Sequence, residues 1–413
     1  MSSSFKKLIN RRVGALTVLG FSSGLPLALS GSSLQAWMTI EGVDLKTIGI
    51  FSLVGLPYTL KFLWSPLMDR FVPPIFGRRR GWILVCQFLL LVFIFLMGVT
   101  SPRETPWLMA FLAVFVAFFS ASQDVVIDAY RTDVTRQEER GLAVAVSVTG
   151  YRTAMLVSGA MAMVFSQYIG WGNTYILMAT LVIIGICGTF WGPEPERLAE
   201  TPKSLAEAVY GPFKNFITKP TAFALLALII LYKLGDAFAG SLTTVFLIRA
   251  KAFSLAEVGI INKGMGLSAT LIGALLGGVL MAKLGLFRSL LYYGILQAIS
   301  NLSFMVIAAL EKNYFLMALA VGIENLSGGM GTAAFVAFLM ALCDPRYTAT
   351  QFALLSAFAS LGRVLVGPPS GVIAEQVGWV SFFGVTFFAA IPGLILLWLM
   401  RESIKNLGQR SDN

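Results

Sequence analysis

The chain has 413 residues, of which 57% are apolar and 13% charged, against roughly 45–50% and about 25% in soluble domains. It holds 40 glycines, 31 Lys and Arg against 21 Asp and Glu, and no histidine. These figures exclude a soluble globular enzyme, a disordered chain, and any mechanism that uses imidazole as base, ligand or proton carrier. They leave a polytopic helical membrane protein, because only closed hydrogen-bonded backbones cross lipid. The net charge of +10 is read as a topology signal in loops, not as a nucleic-acid footprint, so no nucleic acid is expected.

Apolar runs of about 20 residues mark membrane spans. Twelve are predicted, over 13–38, 47–68, 81–100, 107–130, 142–169, 174–191, 222–248, 257–282, 286–309, 315–342, 351–377 and 380–400. The basic N-terminal start is followed by a run too long for a secretory signal, so span 1 is expected to stay. The short tail after span 12 predicts no further span. With the N-terminus inside, 21 of the 31 basic residues fall on inner segments, 5 on outer loops and 5 within spans. That asymmetry places both termini in the cytoplasm. Cys86, Cys187 and Cys343 are far apart and lack metal or redox spacing, so they read as packing residues.

The segment 192–221 is rich in Pro, Glu and Lys and divides the spans six and six. It predicts an N-terminal bundle over 1–192, a cytoplasmic linker over 193–220 and a C-terminal bundle over 221–413. The halves echo each other near an offset of about 210 residues. Leu45-x-x-Ile48-Gly49-Ile50 matches Leu255-x-x-Val258-Gly259-Ile260. Gly77-Arg78 falls opposite Phe287-Arg288, Tyr151-Arg152 opposite Gly362-Arg363, and Gly170-Trp171 near Gly378-Trp379. The fold class expected is therefore an all-α membrane protein with twelve transmembrane helices in two pseudo-symmetric six-helix bundles, the architecture of major facilitator transporters.

The loop after span 2 reads Ser65-Pro66-Leu67-Met68-Asp69-Arg70, then six residues, then Gly77-Arg78-Arg79-Arg80. It resembles the major facilitator pattern G-x-L-x-D-R-x-G-R-R, with Ser65 in place of the first glycine and a lengthened middle. The resemblance implies a conformational latch at Asp69, Arg70, Gly77 and Arg78; a plain topology-setting loop is the other reading.

Charges at bilayer depth cost at least ~2.5–3.5 kcal/mol each and persist where they face a cavity or one another. Asp124 and Asp128, spaced i, i+4 on span 4, share a helix face. Two carboxylates that close can hold one proton between them, which makes them candidates for proton coupling. Asp128 has a second reading, a pair with Arg131 or Arg140. Lys61 and Arg152 are counter-ion candidates in the same half, and Arg152 could equally clamp a solute carboxylate. Its repeat partner Arg363 makes a structural role the expectation for one of the two. Lys233 and Asp236 sit at i, i+3 and can simply neutralise each other. Lys263, Glu324 and Asn325 complete a second polar set. Gln35, Trp37, Tyr58, Gln123 and Tyr151 are candidates for hydrogen bonding or stacking on sugar rings. No catalytic constellation, nucleotide-binding loop or metal cluster is present in the sequence, so neither enzyme activity nor a cofactor is expected.

Gly24-Leu25-Pro26-Leu27-Ala28-Leu29, Leu34-Gln35-Ala36-Trp37-Met38, Lys61-Phe62-Leu63-Trp64-Ser65-Pro66-Leu67-Met68-Asp69-Arg70, Ser120-Ala121-Ser122-Gln123-Asp124 and Tyr232-Lys233-Leu234-Gly235-Asp236-Ala237-Phe238 resemble the AmpG-type muropeptide permeases, with the likeness running over about 21–400. The resemblance implies a monomeric carrier in the inner membrane of Gram-negative bacteria. Its solute would be N-acetylglucosaminyl-1,6-anhydro-N-acetylmuramic acid with or without peptide, imported with protons for cell-wall recycling, which feeds β-lactamase induction. A proton-driven exporter of drugs or metabolites on the same fold is the alternative.

Overall fold

The computed structural model describes residues 11–135, 140–194, 217–218, 221–343 and 348–410, and these are helical wherever they have regular structure. Most of the expected linker lies outside the described residues, as do the side chains of Asp69 and Arg70.

Among the described residues, nine helices are long and apolar enough to cross a membrane. The last of them, within Gln351–Leu399, contains spans 11 and 12, broken at Gly378 where φ is 74°. Spans 2 and 5 are helical but do not pass as single apolar rods. Span 2 is a succession of short turns: Leu45–Ile50, Phe51–Gly55, Leu56–Leu60, Lys61–Leu63 and Ser65–Arg70. Pro57 and Pro66 each open one of these turns, because proline lacks the N–H that would continue the preceding one. Span 5 runs Arg140–Met155, widens to a π-turn over Leu156–Met161 and closes with Ala162–Ile169.

The duplication is legible in the backbone. Gly77 and Gly285 cap the starts of spans 3 and 9, and Gly170 and Gly378 stand before spans 6 and 12. All four have φ between 71° and 78° with extended ψ, a conformation closed to residues with a Cβ. Each pair is separated by the same 208 residues. Asp44 and Ser254 cap the first turns of spans 2 and 8, accepting from the N–H of Thr47 and Glu257 respectively.

The chain forms two compact units: Met1–Gly42 with Val54–Lys203, and Val43–Leu53 with Ser204–Asn413. In the first, helix Arg11–Ser30 lies so close to Arg140–Met155 that a Cβ on Gly24 would meet the Tyr151 backbone. Leu16, Leu19, Ile83, Cys86, Val126, Ile127 and Tyr130 form its core. In the second, Leu228, Tyr232, Leu290, Tyr293, Phe335, Phe338 and Leu397 do so. The terminal helix Arg401–Arg410 is pinned there through fully buried Ile404.

The division of span 2 departs from the expected boundaries. Val43–Leu53, a strap ahead of the rest of span 2, belongs to the second unit. It packs on the start of Gly367–Leu399 through apposed glycines: a Cβ on Gly49 would stand 2.6 Å from the Gly367 carbonyl oxygen. Ser52 Oγ donates to the Val364 carbonyl at 2.8 Å, and Lys46 pairs with Glu375 at 3.3 Å. Arg249 donates to the Val43 carbonyl.

Candidate functional site

Polar residues that the sequence scatters along apolar helices meet in two sets, one per unit. In the first unit, Asp124 is half-buried on span 4 and its Oδ1 accepts a hydrogen bond from the hydroxyl of Ser23 on span 1. Lys61 lies within electrostatic reach but forms no direct ion pair with it among the described residues. The Tyr58 hydroxyl is buried near Ser30 and Ser120. Arg152 is half-buried; its Nη1 approaches the Met155 sulfur at 3.8 Å, and its Nε has no hydrogen-bond partner among the described residues. Tyr151 beside it is half-buried.

Several sequence candidates stand elsewhere. Asp128 is exposed and its carboxylate pairs with Arg131 at 2.9 Å, so the pair reading describes it rather than a shared proton with Asp124. Gln123 is fully buried; its Nε2 donates to the Ser22 carbonyl at 2.9 Å and its Oε1 accepts from the Ser22 hydroxyl at 3.4 Å. Its amide ties spans 4 and 1 together and has no face left for a solute. Trp37, 5% exposed, packs in one cluster with Trp171 and Tyr175, at ring centroids of 6.2 and 5.0 Å, and those two also contact each other at 6.3 Å. Its indole N–H donates to Glu41 at 3.3 Å, so its faces are filled. Gln35 remains half-buried on the same helix.

Sequence reading passed over Gln87 on span 3, whose Nε2 donates to Ser22 at 3.2 Å while its Oε1 accepts from Thr189 at 2.9 Å. With Gln123 it makes a buried relay across spans 6, 3, 1 and 4. A lone amide within an apolar run is the signal that could have found it, since a buried amide must find partners.

The loop of the expected latch starts span 3. Gly77 stands at its N-terminus under the Glu194 carboxylate. Arg78 is buried, Arg79 pairs with Asp133 at 2.7 Å, and Arg80 donates to the Thr189 carbonyl at 3.0 Å. Burial raises the Glu194 carboxyl above its ordinary pKa, outweighing the nearby Arg80.

In the second unit a cavity of about 460 Å³ opens among spans 7, 8, 10 and 11, with Ser52 of the strap on its wall. Its charged lining is Lys233, Asp236, Glu324 and Arg363. Lys233 interrupts span 7 between Ala222–Tyr232 and Leu234–Val245, and its ammonium reaches Asp236 and the Thr332 hydroxyl, each at 3.3 Å. Lys233 and Asp236 thus form an ion pair within the cavity lining. Glu324 Oε2 accepts from Asn325 Nδ2 at 2.7 Å, and Asn325 Oδ1 accepts from Thr270 at 3.1 Å. Lys263 lies near Glu324, with no direct ion pair among the described residues, on the π-turn Val258–Met265 of span 8. Buried charges thus gather where helices break or widen, as at Lys61, Lys233 and Lys263. Irregular backbone at membrane depth is tolerated where it lines a cavity or is covered by protein. A cavity of this volume with a few convergent polar groups has the form of a small-solute site. Among the described residues no cluster of His, Cys, Asp and Glu could hold a metal ion.

The Major Facilitator Superfamily model matches residues 16–321. The chain belongs to this superfamily of membrane transporters, and several of its relatives are named as permeases or transporters. It is similar to a protein of Escherichia coli named anhydromuropeptide permease, at 53% identity over 98% of this chain and 83% of that one. It is also similar, at 32% identity over 95% of this chain and 97% of the other, to a putative transporter AmpG 4 of Rickettsia felis. Among solved structures, a bacterial homologue of the human lysosomal transporter Spinster, inward-facing and unoccupied, aligns with a TM-score of 0.70 at 17% identity. That alignment covers 99% of this chain and 98% of the other and speaks for the fold alone.

Proposed function

We propose that the chain imports anhydro-muropeptides with protons across the bacterial inner membrane. The observation that carries the solute is the 53% identity, over nearly the whole chain, to the protein named anhydromuropeptide permease. The geometry is consistent with it: a polar, anionic sugar-peptide needs cations and amides, and the second unit's cavity offers Arg363 and Asn325 to a portion of the solute.

In this reading both termini are cytoplasmic and the protein works as a monomer of two bundles joined by the 193–220 linker, its solute site open to one side of the membrane at a time. Asp124 carries the proton. Its carboxylate meets a hydroxyl partner and, among the described residues, no ion pair, so it can gain a proton without breaking a salt bridge. Lys61 and Arg152 are the cations whose balance that proton alters. Tyr58, Tyr151 and Gln35 contact the sugars, and Lys233, Asp236, Lys263, Glu324 and Asn325 the polar remainder. Solute enters when the strap Val43–Leu53 parts from Gly367. Asp69, Arg70, Gly77 and Arg78 latch the cytoplasmic side. Uptake of labelled anhydro-muropeptide into proteoliposomes tests the reading: accumulation is expected under an inward pH gradient and none without it.

A further inference from the structure

The four charged residues lining the second unit's cavity are unequally committed. Lys233 is 9% exposed and spends its ammonium on Asp236 and Thr332. Asp236 is held by that pair. Glu324 accepts from Asn325. Arg363 is exposed into the cavity and makes no hydrogen bond or ion pair with any described residue. The repeat had pointed to a structural role for one of Arg152 and Arg363; among the described residues Arg363 has no partner that would show such a role. The backbone beside it is tethered, because the adjoining Val364 carbonyl accepts from Ser52 of the strap.

A guanidinium that pairs with no described carboxylate, although Asp236 and Glu324 line the same cavity, has its planar fork open to an anion from outside the chain. Its planar fork fits a carboxylate through two parallel N–H donors, a match an ammonium cannot make. We infer that Arg363 forms a carboxylate subsite, receiving a free carboxylate of the solute, with Ser241, Thr332 and Asn325 around the remaining polar atoms. The anionic neighbours facing this subsite are Glu324 of span 10 and Asp236 of span 7; the cations are Lys233 of span 7 and, beyond the lining, Lys263 of span 8. The inference rests on the muropeptide reading, and on a sugar-peptide the carboxylates concerned are those of the peptide.

The test is competition binding to the full-length protein in nanodiscs, with labelled anhydro-disaccharide-tetrapeptide displaced by the free acid or by its amide-capped form. For the wild type, capping is expected to weaken displacement about 10- to 100-fold, the range for a charge-assisted bidentate contact. Arg363→Gln is expected to lose that much for the free acid and nothing more on capping. Arg363→Lys, which keeps the charge without the fork, should fall between. A wild type that displaces equally with both forms overturns the subsite whatever the variants do. An Arg363→Gln protein that still prefers the free acid overturns it too, with muropeptide binding intact. A wild type that binds neither form overturns the muropeptide reading itself, and the subsite's ligand with it.

Discussion

Replacing Gly49 by valine should drive the strap off its seat. The Gly49 Cα faces the Gly367 carbonyl, and an added Cβ would lie 2.6 Å from that oxygen and 3.2 Å from its carbon. Neither partner is the flexible end of a side chain, so backbone must move. Overpacking of this kind costs roughly 1–3 kcal/mol, which at about 1.4 kcal/mol per factor of ten shifts the balance between seated and parted strap by roughly 5- to 150-fold. The seated state retains the Ser52 bond to Val364 at 2.8 Å and the Lys46–Glu375 pair at 3.3 Å. The exposed pair adds little, so these tethers do not offset the clash. The assay is disulfide trapping of Lys46→Cys with Glu375→Cys after removal of Cys86, Cys187 and Cys343. Gly49→Val should slow trapping at least about 5-fold, while Gly278→Val, where a Cβ meets nothing within 4 Å, should leave it unchanged. Equal trapping in Gly49→Val and its parent would refute the argument that glycine apposition seats the strap.

Asp128→Asn should cost less than about 1 kcal/mol of stability and leave proton-driven uptake within a few-fold of wild type, because its pair with Arg131 is exposed; a coupling defect equal to that of Asp124→Asn would contradict this. Trp37→Ala should destabilise the fold by about 3–5 kcal/mol, seen as a large drop in melting temperature, with solute KM in the surviving protein little changed. Burial raises the Asp44 carboxyl, but the hydrogen bonds from Thr47 outweigh it and hold the pKa below its ordinary 3.8. A depressed carboxylate contributes stability above its unfolded pKa and loses it as pH falls through the folded value. Asp44→Ala should therefore lower stability by about 1 kcal/mol at neutral pH, and the gap should narrow only below about pH 3.8; a gap independent of pH down to that range would remove the charge from the cap.

The apolar runs, the glycine-marked turns and the buried charges were legible in the sequence because lipid enforces them: a span must be apolar, and an ionisable group within it needs a reason. What could not be read was rotation. A helix that is apolar all round gives no sign of which stripe meets which neighbour, so Trp37 and Gln123 were placed with the solute-facing groups although both are consumed by packing. Gln87 was overlooked for the same reason, as its partners Ser22 and Thr189 come from two other helices. Arg363 was read through its repeat partner, yet the repeat preserves backbone position and not the company a side chain keeps. Span 2 shows a further gap: it was read as one run over 47–68, and nothing local told that Val43–Leu53 would pack with the second half of the chain.

The most direct test is uptake of labelled anhydro-muropeptide into proteoliposomes holding wild type or Asp124→Asn, each with and without an inward pH gradient. The account predicts gradient-driven accumulation by the wild type. It predicts that Asp124→Asn still exchanges internal for external solute but no longer accumulates it when the gradient is imposed. Full gradient-driven accumulation by Asp124→Asn would take the proton away from that carboxylate, and absence of uptake by the wild type would contradict the account as a whole.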